Sequence, residues 1–284
     1  MDGEELELFA KGLADTTARA SGAALDAALD DLGWLDALAT DRRAAVSLLF
    51  EAQGRAGSTS SALHHVLVTA LGRDADPALG VVLPGGLGLE GLGRCRSAVV
   101  AGGVVDVGDL ELQPIGGIDP ALGLVLVVGA ATGLTEEALA AGRVALAHEL
   151  VGVSRTMLRL ARDHAVERIQ FGRPIAAFQA VRHRLAEAYV AVEAADAAAA
   201  AAWDDGSPFG AAMAKAVAGR SARTVARHCQ QVLAGIGFTT EHDFHRFARR
   251  SLVLDHLLGD ARSLIAEQGE ELLRSRQLPS PLPL

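Results

Sequence analysis

Lysine is almost missing from this chain. Lys11 and Lys215 are the two present, and arginine carries nearly all the positive charge. Schiff-base chemistry has only those two candidates, and Lys215 stands in an alanine-rich helical run that argues for packing instead. Cysteine is as scarce: Cys95 and Cys229 lie far apart. Folding therefore rests on a core and not on disulfides, and the expected compartment is reducing and cytoplasmic. Long apolar runs are lacking too. The stretch Leu122–Ala131 is too short to span a bilayer, so no membrane partner is expected. The opening MDGEELELFAKG is acidic and shows no basic segment followed by an apolar one, so no secretory signal is expected. A formal charge of −9 argues against a nucleic-acid partner. There is no H-E-x-x-H helix and no G-x-S-x-G elbow, so zinc hydrolysis and serine hydrolysis have no support.

What is present is an apolar chain of 284 residues, enough for a sizeable core. Residues 1–71 read as helical. Leu6, Phe9 and Leu13, then Leu25, Leu29 and Leu32, recur at three- and four-residue spacing, and Val46, Leu49 and Phe50 continue the pattern through Arg42–Arg55. A polar loop, Ala56–Ser61, precedes one more helix over Leu63–Leu71. Residues 72–133 change character. Val81–Leu83, Ser97–Val100, Val104–Val107, Leu110–Gln113 and Leu124–Val128 are short β-prone runs between glycine and proline turns, which describes a small β-domain. Residues 134–276 read as four helices. The first runs from an N-cap at Thr135 to Glu167, roughly 45 Å at the helical rise. Ile175–Trp203, Phe209–Leu233 and Phe247–Arg274 follow, the last with a break near Gly259. Long helices with short connections make an antiparallel four-helix bundle. The proline-rich end, residues 277–284, reads as a flexible tail.

Three motifs have plainer readings than their signatures suggest. Gly86-Leu-Gly-Leu-Glu-Gly91 matches G-x-G-x-x-G, but no helix opens on its last glycine, so a β-domain loop is the better reading. His242 and His245 lack further metal ligands. Cys95 stands between Arg94 and Arg96, which could lower its thiol pKa, yet no histidine motif accompanies it.

Two segments are different. Arg168-Ile-Gln-Phe-Gly-Arg-Pro-Ile-Ala-Ala-Phe-Gln179 packs a guanidinium, two amides, aromatics and a tight turn between two long helices. Gln231-Val-Leu-Ala-Gly235-Ile-Gly-Phe-Thr-Thr-Glu241 adds an amide and a glycine pair. A guanidinium can grip a pyrophosphate bidentately and glycine lets backbone approach it closely. Helix-to-helix turns need glycine and polar caps as well, so physics alone leaves the two readings level.

These two segments, together with Gly152 in the preceding helix, resemble the C-terminal domain of the flavin-dependent acyl-CoA dehydrogenases. The resemblance is strong over residues 134–261. It implies a mostly α fold with a small central β-domain and a C-terminal four-helix bundle, and an FAD shared across a subunit interface. Arg168, Gln170, Phe171, Gln179, Gln231 and Gly235 would contact the adenosine-pyrophosphate part of that FAD. The implied reaction is α,β-dehydrogenation of an acyl-CoA thioester.

The departures shape the expectation. The family's proton-abstracting glutamate falls on Leu258, and its alternative position falls on Gly142. Asp255, His256 and Asp260 are the nearest replacements, each read as more fit for a structural surface role. The family's flavin-binding loop is not recognisable, and no aromatic residue stands between Phe50 and Phe171. The expectation is a short, degenerate subunit of an actinobacterial-type steroid or acyl-CoA dehydrogenase. Its partner would be a full-length dehydrogenase subunit, in a heterotetramer. A self-sufficient enzyme with a relocated base and a non-enzymatic scaffold are the alternatives.

Overall fold

The computed structural model describes Met1 and residues 3–277. Of the tail expected at 277–284, all but Gln277 lies outside the described residues. The chain forms two compact units: Met1–Gln53 with Ser58–Ala145, and Gly54–Gly57 with the chain from Leu146 onward.

The first unit opens with α1 (Gly3–Arg19), α2 (Ala23–Asp31), α3 (Trp34–Thr40), α4 (Arg42–Ala56) and α5 (Ala62–Ala70). Of the apolar positions of the sequence pattern, Leu13, Leu25, Leu29, Val46, Leu49 and Phe50 are buried, and Leu6, Phe9 and Leu32 are half-buried. Gly33 takes the left-handed conformation (φ 71°) that lets α3 start one turn after α2 ends. All residues of α5 from Ala62 to Val68 are buried, which is why its sequence shows no polar stripe.

Six short strands follow: β1 (Leu79–Val81), β2 (Leu87–Gly88), β3 (Ser97–Val100), β4 (Gly103–Asp106), β5 (Leu112–Pro114) and β6 (Val125–Val127). They make two three-stranded sheets, ordered β1-β3-β4 and β2-β6-β5. Val82, Leu92, Cys95, Ala98, Val107 and Val127 form their core. Four of the expected runs shift by one or two residues. The first ends before Val82 because Pro84 already forces the turn, and the fourth starts at Leu112 because Val107–Asp109 forms a 3-10 turn. The sequence showed no sign of β2, two residues between glycines. The Gly86–Gly91 segment holds β2 and the start of a 3-10 turn, Glu90–Arg94, and no α-helix follows it. Cys95 is a plain cysteine of this β core: burial pushes its thiol up to about 11, outweighing the opposing charge of Arg94.

The long helix α6 (Glu136–Glu167) begins in the first unit and continues through the second. Its N-cap is Thr135, whose hydroxyl accepts from Ala138 N at 3.3 Å, as the sequence implied. The second unit adds a hairpin, β7 (Ile169–Gln170) and β8 (Arg173–Pro174), then α7 (Gln179–Asp205), α8 (Pro208–Leu233), α9 (Phe244–His256) and α10 (Ala261–Ser275). The helix expected from Ile175 starts at Gln179, since Ile175–Ala177 is a 3-10 turn. The fourth bundle helix is two helices, broken at Leu257–Asp260. α6 and α7 run antiparallel, tied by Arg155 to Asp196 at 2.7 Å and by Trp203 Nε1 donating to His148 Nε2 at 3.0 Å. Along α7, Ala188, Val192, Ala195, Ala199 and Ala202 are buried at alternating four- and three-residue spacing. They face α8, which is buried nearly all round and rich in alanine. Small side chains on both helices permit close approach, so the Ala197–Ala202 run is packing and not a linker.

Candidate functional site

The hairpin between α6 and α7 carries the first cluster of sequence-predicted residues. Its two central residues, Phe171 and Gly172, both have positive φ (51° and 74°). That is the geometry of a tight hairpin turn, and glycine adopts it freely. Phenylalanine does not, and a non-glycine residue held there costs on the order of 1 kcal/mol or more. The strain comes with 91% exposure of Phe171. Among the described residues the ring makes an edge contact to Phe178, at 6.0 Å between centroids. Arg173 stacks on the other partner of that pair, 4.3 Å from the Phe178 centroid. These two supports of the turn, Arg173 and Phe178, had not been singled out as site residues in the sequence.

Arg168, Gln170 and Gln179 are all exposed. Arg168 forms no side-chain hydrogen bond or ion pair among the described residues. Its backbone is fixed, since Arg168 N donates to His164 O and Ile175 N donates to Arg168 O, both at 2.9 Å. The guanidinium therefore springs from a rigid base with its donors unspent.

The second cluster lies where α8 ends. Ala234–Phe238 is a 3-10 turn entered through Ala234 at φ 52°. Gly237 is closely packed there: a Cβ would stand 2.9 Å from Leu233 Cβ, which cannot swing aside as the Gln230 amide can. Gly235 faces open space, so a ligand can reach its backbone. Gln231 is exposed, and Phe238 is 79% exposed. His164, in the last turn of α6, meets His242 edge-on at 6.3 Å. That contact places the root of the hairpin beside the segment that follows the α8 turn. Partial burial, His242 and Arg168 together hold the His164 imidazole below its usual pKa.

The candidate bases are elsewhere. Leu258 sits in the α9–α10 connection at φ 58° and is buried. Asp255 corrects its sequence-based reading as a surface residue, because it is fully buried. Its Oδ2 accepts from Arg223 Nε at 2.9 Å and its Oδ1 from Ala261 N at 3.2 Å. Lys215 is also buried, and its Nζ donates to the carbonyls of Asp255 (2.9 Å) and Gly259 (3.3 Å), capping the end of α9. Asp260 caps α10, accepting from Arg262 N and Ser263 N, and the Ser263 N–H chiefly holds its carboxyl below the usual range. His256 is exposed. Gly142 is buried within α6. Among the described residues no group of three or more histidine, cysteine or carboxylate side chains could hold a metal ion. His242 and His245 instead bond to their own turn, at Phe244 N and His242 O.

The donor set fits the pyrophosphate end of a dinucleotide: an uncommitted guanidinium, exposed amides, an exposed aromatic and an open glycine backbone. Residues 132–268 match the family described as acyl-CoA dehydrogenase, C-terminal domain. Residues 132–268, a little under half of the chain, therefore carry an acyl-CoA dehydrogenase C-terminal domain. Acyl-CoA dehydrogenase IpdE2 of Mycobacterium tuberculosis is 36% identical over 132 residues, covering 46% of this chain and 42% of that one. Acyl-CoA dehydrogenase FadE34 of the same organism is 44% identical over 121 residues, covering 40% of this chain and 17% of that one. The match thus spans less than half the length of these curated relatives. The fold extends further. A Tcur3481–Tcur3483 steroid ACAD variant matches with TM-score 0.78 at 20% identity, over 96% of this chain and 99% of that one. The ChsE4–ChsE5 complex from Mycobacterium tuberculosis matches with TM-score 0.76 at 20% identity, over 99% of both chains. No helix among the described residues is long and apolar enough to cross a membrane.

Proposed function

We propose that this chain is the non-catalytic subunit of a heteromeric, flavin-dependent acyl-CoA dehydrogenase, and that it completes the FAD site of a full-length partner subunit. The observation that carries the reading is an asymmetry. The segments suited to gripping a dinucleotide are present and turned outward, while the position of the family's base holds a buried leucine. Arg168 would clamp the pyrophosphate with its planar fork. Gln170, Gln179 and Gln231 would offer amide donors, Phe171 an aromatic face, and Gly235 an accessible backbone. When bound, FAD supplies the hydride acceptor for α,β-dehydrogenation of an acyl-CoA thioester. This chain's share is to bind and orient. Removal of the α-proton falls to the partner, since Leu258 can accept none.

The resemblance to a steroid ACAD supports a steroid side-chain CoA as the substrate class. A self-sufficient enzyme would need a carboxylate free to take a proton. The engagement of both Asp255 oxygens and the capping role of Asp260 weigh against it.

Co-expression with a full-length acyl-CoA dehydrogenase subunit tests the proposal. The purified complex is expected to be yellow, and Arg168→Ala is expected to lose FAD from it while the circular dichroism of this chain is unchanged. Full flavin occupancy in the Arg168→Ala complex would overturn the clamp. Protein that stays colourless in every assembly would instead support a scaffold.

A further inference from the structure

The two candidate clamp segments meet at a pair of imidazoles. His164 stands one helical turn before Arg168, whose N–H donates to its carbonyl, so the two side chains leave the chain on one face. His242 approaches from the segment between the α8 turn and α9, with the rings edge to edge and 6.3 Å between centroids. Its Nδ1 accepts from Phe244 N at 3.2 Å, so the neutral ring carries its proton on Nε2. Both histidines are half-buried. The His164 ring makes no hydrogen bond or ion pair among the described residues, so both its nitrogens are open to a proton.

The charges around His164 decide when it takes that proton. Burial lowers its pKa most, then the His242 imidazole and the Arg168 guanidinium, and the Glu167 carboxylate opposes them. On the α9 side, Asp243 is held by Arg246 at 3.3 Å and Glu241 is exposed. While Arg168 bears its full charge, His164 is therefore held neutral near pH 7. An anion on Arg168 cancels that repulsion and adds an attraction of its own. The effect acts through space, so no ligand atom has to touch the ring.

We propose that His164 is a proton-linked positioning residue of the dinucleotide clamp, which rests on the role of Arg168 proposed above: a pyrophosphate held by Arg168 draws a proton onto the His164 imidazole, and the dinucleotide binds more tightly as the pH falls towards 6. The sign follows from linkage. Binding that raises a pKa takes up protons, and it strengthens as the pH falls through the window between the free and the bound values. The imidazolium so formed puts a second positive charge beside the guanidinium.

Calorimetric titration of the flavin-stripped, co-expressed complex with FAD tests this. FAD is a suitable probe because its pyrophosphate diester does not titrate between about pH 6 and 7.5. Runs at about pH 6.5 in two buffers of different ionisation heat count the protons exchanged. Uptake of about half a proton per FAD is expected, with binding roughly three- to fivefold tighter at pH 6 than at pH 7.5. His164→Phe keeps a ring against His242 but cannot titrate, and His164→Gln is a second non-titrating variant, polar instead of aromatic. Either should bring proton uptake close to zero and flatten the pH dependence. FAD binding without proton uptake, or with the same uptake in a folded His164 variant, would overturn the proposal and leave the clamp standing. Failure of the clamp itself reads differently: Arg168→Ala would then bind FAD as the unsubstituted complex does at every pH, and the linkage would fall with it.

Discussion

A carboxylate withdrawn from water needs partners for its charge, and Asp255 has them in Arg223 and the Ala261 N–H. The role is to join α8 to the start of α10. Asp255→Ala should therefore lower stability by about 2 kcal/mol, since it orphans a buried N–H and one half-exposed guanidinium. Denaturant unfolding measures this, and flavin content per folded complex should not change. A complex that keeps its stability but loses turnover would instead mark Asp255 as a base.

His64 gives a pH prediction at the same scale. It is fully buried, its Nδ1 accepts from Val81 N at 3.1 Å, and burial pushes its pKa down to about 3. The unfolded chain protonates it near 6.5, the folded chain only near 3. Stability is thus fully present above pH 6.5 and is lost as pH falls between these values, by about 1.4 kcal/mol per unit. Unfolding at pH 5 should be easier than at pH 7 by about 2 kcal/mol on this account. His64→Asn, which can still accept from Val81 N, should flatten the slope. An unchanged slope in that variant would assign the acid sensitivity to other groups.

Among the elements, the crossing of α4 and α6 has the least tolerance. A Cβ on Gly54 would stand 2.1 Å from the carbonyl oxygen of Glu149, and backbone cannot give way as a side-chain tip can. Thr156 Oγ1 donates to Arg55 O at 2.8 Å beside it and fixes the same spacing. Gly54→Ala should cost about 1–3 kcal/mol through overpacking, read as a fall in melting temperature. A neutral result would mean that the helices can slide apart. The elements also mark what the sequence could tell. The long helices were legible because apolar spacing, Thr135, Ser207-Pro208 and Gly259 are local signals. The β7–β8 hairpin was not, because two-residue strands have no period, and nothing in composition announces a positive φ at Phe171. The candidate clamp residues were legible as a motif. The pairing of Asp255 was not, because Arg223 lies 32 residues and Lys215 40 residues before it, and only the fold brings them together.

At the scale of the whole molecule, the proposal turns on what covers the outward face of the second unit. Phe171, Phe238 and Ile169, in the segments that carry Arg168 and Gly235, are each more than half exposed. Single exposed apolar residues are ordinary, but several beside an uncommitted guanidinium argue for a partner surface. In a homodimer both sites would have leucine at the base position, and the clamp would serve no productive cofactor. In the proposed heterodimer one complete site would survive per pair, because the partner would supply base and flavin-ring contacts while this chain would supply Arg168, Gln170, Gln231 and Gly235. The simplest closed assembly is an α₂β₂ tetramer. Sizing and flavin quantification of the co-expressed complex should give one FAD per heterodimer, about two per tetramer. Phe171→Asp should weaken both assembly and flavin retention, since it would place a charge in the proposed contact, and should leave the isolated chain folded. A stable homotetramer with one FAD per chain and full activity would refute the heteromeric reading.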